Sequence, residues 1–127
     1  MGTPAKISGA RNASVQTRIP VTVDPGFHVN SNPASAEYLI PLSVTWSATG
    51  ALQGGAVTYP KATKEKVGND TLTVYTGSFD LIANFKVSAD APAGPGVAAG
   101  KLRYQACNSN TCFPPKNVDI SVPYQIQ

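Results

Sequence analysis

The chain has 127 residues, the size of one ordinary domain, and halving it would leave two pieces too small to bury much core. With 13% charged and 42% hydrophobic residues, it is neither a solvated, disordered chain nor short of material for a single core. The ten basic residues behind the +3 net charge are scattered with no Lys/Arg stripe, which gives nucleic-acid or polybasic membrane binding little support.

Gly and Pro number 11 each, which signals many turns, and 23 Val and Thr against 6 Leu favour pleated strands over helices. No apolar run approaches the ~20 residues that span a bilayer. No charged region followed by an apolar run opens the chain, and Met1-Gly2 reads as an added start in place of a removed export signal. Composition alone leaves a cytosolic origin open.

Met1 to Ser14 is small and polar and is expected to be a mostly irregular lead-in. From there Val15, Thr17, Ile19, Val21 and Val23 alternate with polar residues as a half-buried strand, with Pro20 marking an edge or bulge. Asp24-Pro25-Gly26 ends it, and Phe27 to Ser35 reads as an extended loop. The strongest alternation is Tyr38, Ile40, Leu42, Val44 and Trp46, which predicts a core strand. Thr49 to Gly55 reads as a turn, Val57 and Tyr59 as a short strand stopped by Pro60, and Lys61 to Asp70 as a solvated connection.

Leu72 to Tyr75 is short and extended, and Gly77 permits a bend. Phe79, Leu81, Ala83, Phe85 and Val87 form another alternating face, followed by a Pro/Gly turn over Ala89 to Gly96. Val97 to Cys107 and Val118 to Ile126 are the last two strands. About seven strands with turn signals between them and no convincing helix fit an all-β sandwich of immunoglobulin type better than a closed barrel. There is no internal repeat and no low-complexity linker, so residues 1–127 read as one domain.

The chemistry stands in Cys107-Asn-Ser-Asn-Thr-Cys112. A closed zinc site wants about four ligands, and His28 is the only histidine. Nor is the spacing the C-x-x-C of thioredoxin-like motifs. Two readings remain on residues alone. The pair is an inert staple of a hairpin in an exported protein, or an exchangeable pair at a loop tip. A bridge closing about six residues contributes roughly 2 kcal/mol, against roughly 4 for one tying strands about 65 residues apart, which weighs against a structural purpose. Trp46 precedes both cysteines, so the Cys…Trp…Cys order of true immunoglobulin domains is absent.

Tyr104-Gln105-Ala106-Cys107 followed by Cys112-Phe113-Pro114-Pro115 resembles the redox site of the N-terminal periplasmic domain of the transmembrane reductase DsbD. Gly26-Phe27-His28-Val29-Asn30-Ser31, Tyr38-Leu39-Ile40-Pro41, Tyr59-Pro60 and Tyr75-Thr76-Gly77 resemble further landmarks of that family, in order, so the likeness runs from about Val15 to Ile126. The resemblance implies an immunoglobulin-like protein-disulfide reductase domain in the periplasm, or otherwise exported. Its cysteines would take reducing equivalents from a thioredoxin-like domain and pass them to exported thioredoxin-fold proteins, with no metal and no cofactor. Cys112 would form the mixed disulfide and Cys107 would resolve it.

The resemblance also implies a cap loop over the pair, matched here by Asp70 to Gly77. Better-known members carry acidic residues and a phenylalanine there. This chain has Thr71-Leu72-Thr73-Val74-Tyr75 after one acid, Asp70, so the shield would be Val74 or Tyr75.

Other residues have plainer readings. Tyr104 is a core residue or a wall beside the thiols, and Phe113 packs under the turn or flanks the disulfide. His28 is a loop residue with a backbone partner, or a pH-responsive group if buried near a carboxylate. No paired carboxylates and no nucleophile–base arrangement support hydrolase or transferase chemistry. The competing function is an exported structural or binding sandwich with an inert disulfide. A third possibility is a family-like domain that has lost its redox partners.

Overall fold

The computed structural model describes residues 2–36, 38–47 and 50–127. It contains eleven strands and, among the described residues, no helix. Strands β1 (Ile7–Gly9), β11 (Lys116–Ile126), β9 (Gly94–Tyr104) and β4 (Ser43–Trp46) form one sheet in that order. Strands β2 (Ser14–Thr22), β8 (Ser78–Val87) and β5 (Leu52–Thr58) form the second. A third, smaller sheet runs β10 (Ala106–Cys107), β3 (His28–Asn30), β7 (Asp70–Tyr75), β6 (Thr63–Val67).

The two larger sheets close on each other because their inner faces are apolar at every second residue. Ile19 on β2, Leu81, Ala83, Phe85 and Val87 on β8, and Ile120 and Val122 on β11 meet in one buried core. This is an immunoglobulin-like β-sandwich, as the alternation predicts. Pro20 lies on β2, an edge strand, where its missing N–H costs no ladder bond. The lead-in is less irregular than expected. Gly2 and Ala5 donate their N–H groups to the outer edge of β2 at Pro20 and Arg18, and β1 pairs in parallel with β11, so that Ile7 joins the core.

Three predicted elements are corrected. The long core strand from Tyr38 to Trp46 is a strand only over Ser43–Trp46; Tyr38 is 70% exposed, and Leu39 is buried in its place. Pro41 has no N–H to offer a ladder, and both backbone groups of Ile40 are held by side chains instead. The turn expected over Thr49 to Gly55 gives way to strand at Leu52, the part at Thr49 lying outside the described residues. There a bulge at Gly54 and Gly55 bends β5, and the Trp46 indole donates to the Gly55 carbonyl at 2.9 Å. A Cβ on Gly55 would lie 2.5 Å from that ring, so only glycine fits.

The connection over Lys61 to Asp70 contains β6, which hairpins onto β7 through Gly68 and Asn69. Lys64, Glu65 and Lys66 are all exposed, so no alternation of apolar and polar residues marks the strand.

Candidate functional site

The last predicted strand before the cysteines ends early. β9 stops at Tyr104, and after Gln105 the chain crosses into the small sheet as β10, carrying Ala106 and Cys107. Gln105 fastens this crossover. Its Oε1 accepts from the Asn30 side chain at 2.9 Å and from the Ile40 N–H at 3.0 Å, while Asn30 Nδ2 also donates to the Ile40 carbonyl at 3.1 Å. One side-chain network thus ties β3, the 38–42 segment and the strand bearing Cys107.

Cys107 and Cys112 are joined in a disulfide with Cα atoms 4.0 Å apart. The loop between them is held from within, since Asn108 Oδ1 accepts from the N–H groups of Asn110 and Thr111, both at 2.9 Å, and Asn108 N–H donates to the Thr111 carbonyl. From outside, Gly68 at the tip of the β6–β7 hairpin donates its N–H to the Ser109 carbonyl at 3.1 Å. Cys107 is 0% exposed, whereas Cys112 is half-buried, so the two residues of one bond differ in burial.

Pairing register assigns the faces of the small sheet. Cys107 lies opposite His28, Ala106 opposite Val29, Val29 opposite Tyr75, and Asn30 opposite Val74. Directly opposed residues point the same way and neighbours alternate. Cys107, His28, Asn30 and Val74 therefore share one face, and Ala106, Val29 and Tyr75 share the other. On the first face, Val74 packs with Leu39 and Leu72 in a small apolar cluster that Cys112 touches. On the second, Tyr75 sits in the main core, 5.3 Å ring to ring from Phe79, and its hydroxyl accepts from the Asn32 N–H at 3.1 Å. The stretch predicted as a cap loop is mostly strand: β7 is paired on both sides, by β3 and by β6.

Tyr104 is half-buried and packs against the main core. It also lines a groove of about 430 Å³ with Val29, Leu102, Ala106, Phe27 and Phe113. Phe113 is 39% exposed and lies 6.1 Å ring to ring from Phe27, 40% exposed, so two aromatic side chains stand open in this groove. Phe113 N–H donates to the Ala106 carbonyl at 2.9 Å, which fixes its place after Cys112.

His28 is buried, with 6% of its surface exposed, and its Nε2 has no hydrogen-bond partner among the described residues. Asn30 Oδ1, two residues on and on the same face, is likewise unpartnered. Burial holds the His28 imidazole below its ordinary pKa of 6.5, and the Glu65 carboxylate pulls the other way. The sequence placed His28 in a loop; it lies in β3, whose three residues are all buried and so show no alternation.

A β-sandwich that carries one short-loop disulfide, with Cys107 buried and Cys112 half-buried, has the cysteine pair that a thiol–disulfide exchange domain needs. The chain belongs to the family of the N-terminal domain of the thiol:disulfide interchange protein DsbD, whose model matches residues 3–123. Among solved structures it is similar to the N-terminal periplasmic domain of ScsB from Proteus mirabilis, with a TM-score of 0.69 at 14% identity over 91% of this chain and 42% of that one. It is also similar to the Neisseria meningitidis DsbD N-terminal domain in the reduced form, with a TM-score of 0.52 at 19% identity over 91% of this chain and 84% of that one. The chain thus spans less than half of the ScsB domain. No curated protein matches it. No helix among the described residues is long and apolar enough to cross a membrane.

Proposed function

We propose that this domain is a redox relay of an exported protein-disulfide reductase, with Cys112 as the sulfur that meets partners and Cys107 as the one that resolves them. The observation that carries the reading is the unequal burial of the two cysteines within one disulfide, in a chain of the DsbD N-terminal family. A thiolate attacks a disulfide sulfur along the S–S axis, so the less buried cysteine is the one a donor can reach. A donor thiolate attacks Cys112 Sγ, the Cys107–Cys112 bond breaks, and Cys107 leaves as a thiolate. The donor's second thiolate then releases the reduced pair. In the acceptor half, reduced Cys112 attacks a partner disulfide and Cys107 attacks Cys112 Sγ, which expels the partner's reduced thiol.

The donor is a thioredoxin-like domain of the same reductase, and the acceptors are exported thioredoxin-fold proteins, in the periplasm or its equivalent. Phe27 and Phe113, exposed in the groove beside Ala106, offer such partners an aromatic contact. The lid is the β6–β7 hairpin rather than a free loop. Its Val74 and Leu72 cover the Cys112 side, its tip holds Ser109, and Tyr75 anchors its base in the core.

Trapping tests the assignment. Cys107→Ser leaves Cys112 without a resolving partner, so mixed disulfides with thioredoxin-fold proteins accumulate on non-reducing gels, whereas Cys112→Ser traps few. Equal trapping by both variants removes the division of roles, and no trapping by either removes the relay.

A further inference from the structure

His28 takes no part in the exchange as written above, yet it is the chain's only histidine and lies directly opposite Cys107 across the β3–β10 pair. Opposed residues on antiparallel strands hold their Cβ atoms about 4.5–5.5 Å apart and on one face, within reach for an imidazole and a thiol. Both side chains are buried. A buried polar atom without a partner is uncommon and calls for an explanation. Here Nε2 is that atom, in the strand that flanks the resolving sulfur.

The resolving step has a matching need. Cys107 must attack as a thiolate, but burial away from water disfavours the charged form and raises the thiol's pKa. Its proton has to move to a group inside the site. We propose that His28 is that group: its Nε2 accepts the Cys107 proton as Cys107 attacks the mixed disulfide at Cys112. This rests on the relay reading above.

The proton and electrons balance. The Cys107 S–H bond breaks and an Nε2–H bond forms. Cys107 Sγ bonds to Cys112 Sγ while the bond from Cys112 to the partner's sulfur breaks. The partner leaves as a thiolate, reduced by two electrons together with its second thiol, and the Cys107–Cys112 pair is oxidised by two. The imidazolium then returns the proton to the departing thiolate or to water. In the donor half Cys107 leaves as a thiolate and is protonated from water, with the neutral Nε2 first taking up that proton and then passing it on.

The surroundings suit both halves. From β10 the titratable group facing His28 is Cys107. On β7 the residue that shares its face is apolar Val74, opposite Asn30, and on its own strand Asn30 is neutral. From β6, Glu65 is the charged group that acts on it. An apolar setting keeps the imidazole neutral and ready to accept, and the Glu65 carboxylate favours the imidazolium once it forms.

The test uses the reduced wild-type domain and an aromatic disulfide that releases one coloured thiolate when Cys112 attacks and a second when Cys107 resolves. In the wild type the second phase follows the neutral fraction of His28, with a midpoint below the ordinary histidine value, and is flat above it. In His28→Gln the first phase is unchanged. The second slows by roughly a hundredfold near neutral pH, the low end of what general-base transfer contributes, and climbs with pH toward the thiol's own ionisation.

An unchanged second phase and pH profile in a folded His28→Gln overturns the proposal. Nitrogen NMR of the single histidine in the reduced wild type decides it without a variant. A neutral ring with its proton on Nδ1 is expected near neutral pH, and a charged ring or a proton on Nε2 overturns it. Because the reagent is not a protein, a wild type that resolves it but reacts with no thioredoxin-fold disulfide sinks the relay reading alone.

Discussion

Val74 and Tyr75 are neighbours on β7 that serve opposite faces of the small sheet: Val74 packs in the cluster that Cys112 touches, and Tyr75 packs in the main core. The division follows from register alone, since Asn30 opposes Val74 and Val29 opposes Tyr75. Two residues that look equivalent in the sequence therefore separate, one into the cluster beside Cys112 and one into the main core.

Replacing them one at a time should split two effects. Val74→Ala removes two methyl groups from above Cys112 at a cost of about 2 kcal/mol or less, and the reduced protein should react faster with a small disulfide. Tyr75→Ala empties part of the core and should destabilise by about 3–5 kcal/mol, the range for large aromatic truncations, while the folded fraction reacts at the wild-type rate. Second-order rates and urea melts of the two variants check this. A faster reaction in Tyr75→Ala and not in Val74→Ala would reverse the assignment.

The disulfide itself closes a short loop, and the core lies elsewhere. The double variant Cys107→Ser/Cys112→Ser should lose about 2 kcal/mol and remain folded. A melt followed by circular dichroism should show a midpoint lower by on the order of 10 °C with the transition still cooperative. An unfolded double variant at room temperature would make the bridge a structural staple and favour the reading as an inert sandwich.

Burial of His28 makes stability depend on pH in a defined direction. The folded state holds the imidazole below its ordinary 6.5, so on acidification the unfolded chain takes up the proton first. The contribution is whole above 6.5 and is lost as pH falls from there through the folded-state value. Urea midpoints should fall over that window in the wild type and fall less in His28→Gln. Identical slopes would mean that His28 is not a buried neutral group.

How much of this was legible depends on whether a residue's partner shows in its own neighbourhood. Strands β2, β8 and β11 alternate over nine or more residues and declare their inward faces, from Ile19 and Val21 to Ile120 and Val122. β6 is silent because Lys64, Glu65 and Lys66 are all wet, and β3 is silent because His28, Val29 and Asn30 are all dry. The Tyr38 alternation misleads because Pro41 and the side-chain hold on Ile40 override it. The cysteines announce themselves by spacing and flanking residues. The groups around them do not: Asn30 meets Gln105 across 75 residues of sequence, and His28 meets Cys107 only once two sheets have been ordered.

Gln105 is the clearest case of a residue whose work the sequence conceals, and it can be tested directly. Its Oε1 serves two donors, the Asn30 side chain and the Ile40 N–H, at the point where the chain leaves β9 for β10. Removing the acceptor leaves fully buried Asn30 with one fewer partner, at a cost of about 1–3 kcal/mol for an unsatisfied buried group. Gln105→Met keeps the length and packing of the side chain but cannot accept a strong hydrogen bond, whereas Gln105→Ala loses both. If the network holds the crossover, the two variants lose comparable stability in urea unfolding. Both should also slow the resolving step by Cys107, because the strand that sets Cys107 opposite His28 is no longer pinned. Gln105→Met at wild-type stability and rate would show that the side chain merely fills space there.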